Sequence, residues 1–188
     1  MDIPADRQHW YEHLCRFGGA DASVHGYTES GGTRSVEVFR ASSDSGTLLA
    51  TIGLMDIDQS PLPSATVFSE ILMDSRGREE KLGSILGTIG LNVLKHRVRI
   101  APGVIFERAI DVYLPQHPLP HAMLVAPFQW KEGMTKVQLS GKTIYPLVAV
   151  PISESERIFA TEQSPRALEQ LWESRQVDVL DWSRASAV

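Results

Sequence analysis

The sequence lacks nearly everything that announces a known chemistry. It has one cysteine, Cys15, in 188 residues. A single thiol excludes an internal disulfide and any cysteine-rich zinc site. Cations are in deficit, with 18 lysines and arginines against 23 aspartates and glutamates, a net charge of −5. Binding nucleic acid through its phosphates needs a basic face, so this balance argues against such a partner and permits a basic protein one. No apolar run approaches the roughly 18 to 20 residues of a membrane span. The opening MDIPADRQHWYEHL has no basic stretch followed by an apolar one, so no signal peptide is read there and the expected compartment is the cytoplasm. The P-loop, the dinucleotide fingerprint and the nucleophile elbow are missing, and the glycines of GGAD and ESGGT lack the required strand–helix context.

What is present reads as one domain over residues 1–188, long enough to bury roughly two-thirds of its unfolded surface. Trp10, Leu14 and Phe17 at i, i+4 and i+7 predict a helix over 4–16, followed by a glycine-rich loop. SVEVFRA alternates, with Val36 and Val38 on one face and Glu37 and Phe39 on the other, and pairs with residues 48–57 as a hairpin. Residues 66–73 read as a strand whose one charge is Glu70. Leu82, Ile85, Leu86, Ile89 and Val93 make an apolar stripe on a helix over 78–97, with Asp74 and Ser75 as candidate caps. Its basic end, KHRVR, suits a helix C-terminus, a reading preferred to a phosphate patch. Residues 103–114 and the AMLVAP segment read as strands separated by a proline-rich stretch. Residues 135–152 read as a hairpin turning at 140–142.

The junction PLVAVPISESER decides between a catalytic edge and a helix start. Ser153-x-x-Glu156 has the form of a capping box, in which hydroxyl and carboxylate each satisfy the other's backbone amide. A Ser–Glu catalytic pair would need an activating histidine or lysine, and none lies in the segment. Ser164 before Pro165 starts a second helix that buries Leu168, Leu171 and Trp172. The fold class expected is α+β: a mainly antiparallel mixed sheet with helices packed on it and a C-terminal helical pair.

Candidate chemistry is thin. HWYEH places His9 and His13 at i and i+4 with a glutamate between, the spacing of some zinc peptidases, but Trp10 and Leu14 already explain the helix by packing. His117 and His121 share the spacing among prolines, where they form no helical ligand pair. Cys15 beside Arg16 reads as a small hydrophobe rather than a reactive thiol. Glu70 could be a general acid or base with His25, His117 or His121 brought near by folding. The favoured readings have it facing water or paired with an arginine. No cofactor or metal is expected.

The tail carries a resemblance. Val150-Pro151-Ile152, Glu156, Ala167-Leu168 and Val177-Asp178-Val179-Leu180-Asp181 with Arg184 and Ser186 are similar to the end of the Suppressor of fused-like domain family. Upstream, Glu70-Ile71-Leu72 and Tyr11-Glu12-His13-Leu14 resemble its strand and its first helix. Residues 15–66 and 98–135 match poorly, and Ser164 stands where family members often have glycine. On this resemblance Glu70, Ser153, Glu156, Asp178, Asp181 and Arg184 form a structural motif, with Arg184 expected to pin the tail by pairing with Glu70 or Glu156. The resemblance implies binding rather than catalysis. Animal relatives sequester a transcription factor by pairing its peptide as an added strand, and bacterial single-domain relatives look like immunity proteins that neutralise a cognate toxin of a polymorphic toxin system. Asp56, Asp58, Trp130 and Glu132, placed at loops or strand ends, are the expected partner contacts, acids for steering and an aromatic as anchor.

Overall fold

The structure, a computed structural model, describes residues 3–18, 21–43, 46–59, 67–76, 80–128 and 133–188. Seven strands run in the order β1 (Ala22–Thr28), β2 (Ser35–Ser43), β3 (Gly46–Ile52), β4 (Ile71–Ser75), β9 (Leu147–Ile152), β6 (His121–Val125) and β5 (Ile105–Phe106). Every pairing is antiparallel except β4 with β9. β7 (Val137–Gln138) and β8 (Thr143–Ile144) form a separate two-stranded ribbon. With four helices among the described residues, this is the expected α+β class.

Both faces of the sheet are covered, and the strand period of two sorts side chains between them. Phe39, Ala41, Leu72, Met123, Val148 and Val150 turn toward a core shared with Trp10 and Leu14 of α1 (Ala5–Gly18). Ala160 of α3 (Glu154–Glu162) and Leu168 and Trp172 of α4 (Pro165–Ser174) complete that side. Val36, Val38, Leu49, Ile71, Met73 and Leu124 turn the other way, against the apolar stripe of α2 (Leu82–His96).

Several elements depart from the sequence reading. The glycine-rich loop after α1 contains β1, whose residues are mostly exposed and so carry no apolar alternation. The strand read over 48–57 stops at Ile52, where Gly53 turns at φ 119° into a single 3-10 turn, Leu54–Asp56. Asp74 and Ser75 lie in β4 rather than capping α2, which begins after Lys81 without a side-chain cap; Arg78 and Glu79 lie outside the described residues. Of the strand read over 103–114 only Ile105–Phe106 pairs. The rest folds into turns held by Arg108–Asp111 and by the amides of Tyr113 and Leu114 on Ile110 O. The strand read through 143–152 is cut at Pro146, which has no amide to donate, leaving β8 and β9 in different sheets.

Tyr27 of β1 lies flat on α2 because that helix offers glycines there. A Cβ at Gly87 would sit 2.5 Å from the Tyr27 ring, and one at Gly83 would sit 2.5 Å from its hydroxyl oxygen. Alanine improves helix propensity by up to about 1 kcal/mol, but overpacking costs about 1–3 kcal/mol. Gly87→Ala is therefore expected to lower the unfolding midpoint in urea, and a rise would show that Tyr27 moves aside freely.

Candidate functional site

The tail converges on one carboxylate. Ser153 Oγ accepts from the Glu156 amide at 3.1 Å, and Glu156 Oε2 accepts from the Ser153 amide at 2.9 Å, a complete capping box on α3. The same carboxylate takes three further partners. Trp172 Nε1 donates at 2.9 Å, the Ala187 amide at 3.1 Å, and Arg184 grips both oxygens at 2.7 and 3.0 Å. Glu156 is wholly buried and the Arg184 side chain is 6% exposed. Burial pushes this carboxyl up, but Arg184, the Ser153 amide and Trp172 outweigh it and hold the carboxyl below its usual range. Arg184 also donates to Pro151 O, and Arg175 donates to Ala187 O. Asp178 and Asp181 shape the strap leading there. Their carboxylates accept from the amides of Leu180 and Ser183, and Asp178 pairs with Arg76 at 2.7 Å. Of the two acids offered to Arg184 by the sequence, the fold supplies Glu156. The motif residues thus serve the backbone, and α4 starts at Ser164, whose hydroxyl accepts from the Ala167 amide.

Glu70 neither faces water nor pairs with an arginine, correcting both favoured readings. It is fully buried beside β4. Oε1 accepts from the Gly53 and Met55 amides at 2.8 and 2.9 Å, and Oε2 lies 2.5 Å from Thr51 Oγ1. Burial pushes the carboxyl up to about 8 despite these bonds. Neutral Glu70 fits the arrangement. Thr51 Oγ1, which accepts from the Ile71 amide, donates to Glu70 Oε2, and a protonated carboxyl could instead donate to that hydroxyl, whose hydrogen would then turn to Ile71 O at 3.4 Å. The carboxyl is what bends the chain after β3: two amides of the 53–55 turn end on one oxygen. No histidine is among its partners, so the Glu–His pairing required for a hydrolase is not formed at Glu70.

That turn presents Asp56, which takes Arg7 at 2.7 Å and Lys142 at 3.5 Å, while Asp58 accepts from the Val67 amide. Both acids sit at the surface but are already engaged within the chain. Trp130 and Glu132 lie outside the described residues.

The histidines scatter. His13 bonds Gly133 O at 2.7 Å, stacked on Trp10 and tilted against Phe17, while His9 is exposed. His25 bonds Ser23. His117 Nδ1 accepts from the Leu119 amide, with its ring edge-on to Trp182. His121 opens β6, buried; its Nδ1 accepts from the Arg108 amide and its Nε2 lies 2.7 Å from Glu154 Oε2. Glu154 answers chiefly to Arg157, which holds its carboxyl down to about 2. Such a Glu–His contact orients a ring, but among the described residues no nucleophile stands on the imidazole, whose other nitrogen is taken by backbone. Cys15 is half-buried against Tyr11. Among the described residues no three histidine, cysteine, aspartate or glutamate side chains gather as a metal site. Nor is any helix among them long and apolar enough to cross a membrane.

A sequence profile described as Suppressor of fused protein (SUFU) matches residues 32–185. The chain belongs to the Suppressor of fused family. A Suppressor of fused homologue from Neisseria gonorrhoeae FA 1090 superposes with a TM-score of 0.73 at 17% identity, over 97% of both chains. Suppressor of fused in a Sufu–Fu complex superposes at 0.69 and 11% identity, over 99% of this chain and 91% of that one. In sequence, this Suppressor of fused protein is 30% identical over 179 residues to the immunity protein YqcF of Bacillus subtilis (strain 168), 93% of each chain. The names of these Suppressor of fused relatives point to binding rather than to catalysis.

Proposed function

We propose that this protein is a cytoplasmic immunity protein, a single Suppressor of fused domain over residues 1–188 that neutralises a cognate toxin by binding it. The observation that carries this reading is the identity of 30%, across 93% of both chains, to a protein named as an immunity protein. The site geometry agrees with it. Glu156, Glu70 and His121 are the chemistry-bearing groups, and each is spent on holding the backbone. What remains for another molecule is a surface. The test is co-expression with a toxin encoded beside this gene. Cells carrying both are expected to survive and to yield a co-purifying complex. Cell death in the presence of abundant folded protein would sink the proposal.

A second reading is capture of an extended peptide at the sheet edge. It is favoured by β1, seven residues long, largely exposed, and paired on one side only among the described residues. Strand addition rests on backbone hydrogen bonds, so such binding should persist at high salt, whereas charge-steered binding weakens.

A further inference from the structure

An open cleft of about 810 Å³ lies where the start of β2, the segment after the 3-10 turn and the end of α2 meet. Its charged lining comes from Arg34, Asp56, Asp58, Arg97 and Arg99. The acids are outnumbered there and already engaged within the chain. Asp56 is matched by Arg7 and Lys142, and Asp58 holds the Val67 amide. Arg34 shares Glu29 with Lys95. Arg97 and Arg99 are exposed and make no ion pair or side-chain hydrogen bond among the described residues. Three arginines against two aspartates leave the lining one positive charge in excess, in a protein whose net charge is −5.

Two further features make the pair more than the basic end of a helix. Arg97 is the C-cap of α2 at φ 49°, a left-handed conformation that glycine adopts at lower cost. Folding alone would favour glycine there. Val98, between the arginines, is half-buried and packed against the α2 core, so the two flanking side chains are left to the cleft. Leu94 and Ile57 add an apolar part to its wall. Carboxylates two residues apart on an extended chain lie on one side, about 6.6 Å apart, with an apolar residue free to alternate between them.

We propose that this cleft receives an extended acidic segment of the protein partner, whose carboxylates at alternate positions meet Arg97 and Arg99. The inference rests on the reading that this protein works by binding another, and it names the chemistry of what is bound. Exposed acids of this chain are then not the main contact; the partner supplies the negative charge.

The experiment is an NMR titration of the 15N-labelled protein with a synthetic peptide of alternating glutamate and valine. Saturable shifts are expected at residues 33–35, 56–59 and 94–99, fading as salt is raised. The double variant Arg97→Glu with Arg99→Glu should bind about tenfold more weakly or worse while remaining folded, with at most a fall of a few degrees in melting temperature from the charge reversal at the helix end. Arg97→Gly should melt no lower than the parent and still lose affinity, a separation that a capping role alone does not produce. Unmoved amides in the cleft would overturn the inference. So would equal shifts from inorganic phosphate or single-stranded RNA at the same concentration, since the cleft would then be a general anion site. The peptide requires no toxin. Its failure removes this inference and leaves neutralisation standing, while peptide binding without neutralisation removes the functional reading.

Discussion

Replacing Arg184 with alanine is expected to cost about 3–5 kcal/mol, because it strands a buried carboxylate. Glu156 has no exposure, and its remaining donors are the Ser153 and Ala187 amides and the Trp172 indole. At this chain length the loss corresponds to a fall in melting temperature on the order of 10 °C. Glu156→Ala should be at least as damaging, since it also orphans those three donors and leaves the Arg184 guanidinium unpaired. Joint replacement by leucine and methionine should recover much of the loss, as apolar groups of similar volume often do for buried ion pairs. Acid should act on the same contact. A carboxyl held below its usual range in the folded state contributes stability at pH values above the unfolded value of about 4.3, and that contribution fades as pH falls through the folded value. A melting curve for Arg184→Ala that overlays the parent would reject the hub.

Glu70 should respond in the opposite direction. Its carboxyl titrates at about 8 in the folded protein and near 4.3 when unfolded. The neutral form is the one the fold prefers, so its contribution is complete below pH of about 4.3 and is lost as pH rises toward 8. Across that interval the loss amounts to a few kcal/mol. Glu70→Gln keeps the shape and the neutral charge. Its amide oxygen can accept from Gly53 and Met55, and its NH2 can donate to Thr51. The variant should match the parent near pH 4, exceed it at pH 9, and lose most of the slope between. Chemical denaturation at several pH values reads this directly. Parallel curves for parent and variant would mean that Glu70 is ionised in the folded protein.

Local boundary signals were the most legible part of the sequence. Ser153-x-x-Glu156, Ser164-Pro165 and the Leu82–Val93 stripe each need only a few neighbouring residues to act, and each does in the structure what its spacing implies. The pairing of β2 with β3 is equally local. Features created by distant packing were not legible. β1 has the exposed, polar look of an edge, so nothing in ASVHGYT marks it as a strand. The capping box disclosed two of Glu156's bonds but not its grip on Trp172, Arg184 and Ala187, which α4 and the irregular tail after it bring in. Glu70 was recognisable as the one charge near an apolar strand. Its true role depends on a turn 15 to 17 residues away and on the burial supplied by both cores. Arg97 and Arg99 were read as the end of a helix, since their neighbours Arg34 and Asp56 reach the same cleft only through the fold.

The Glu156 contact also dictates when the molecule can be finished. Its partners Arg184 and Ala187 are synthesised 28 and 31 positions after it. At about 5–20 residues per second, a ribosome needs a few seconds to make that stretch. Throughout that interval the nascent chain carries, just beyond β9, a carboxylate that lacks its arginine. The contact thus closes only after Ala187 has been made, and a ribosome stalled before that point would display an unsealed intermediate open to cellular proteases.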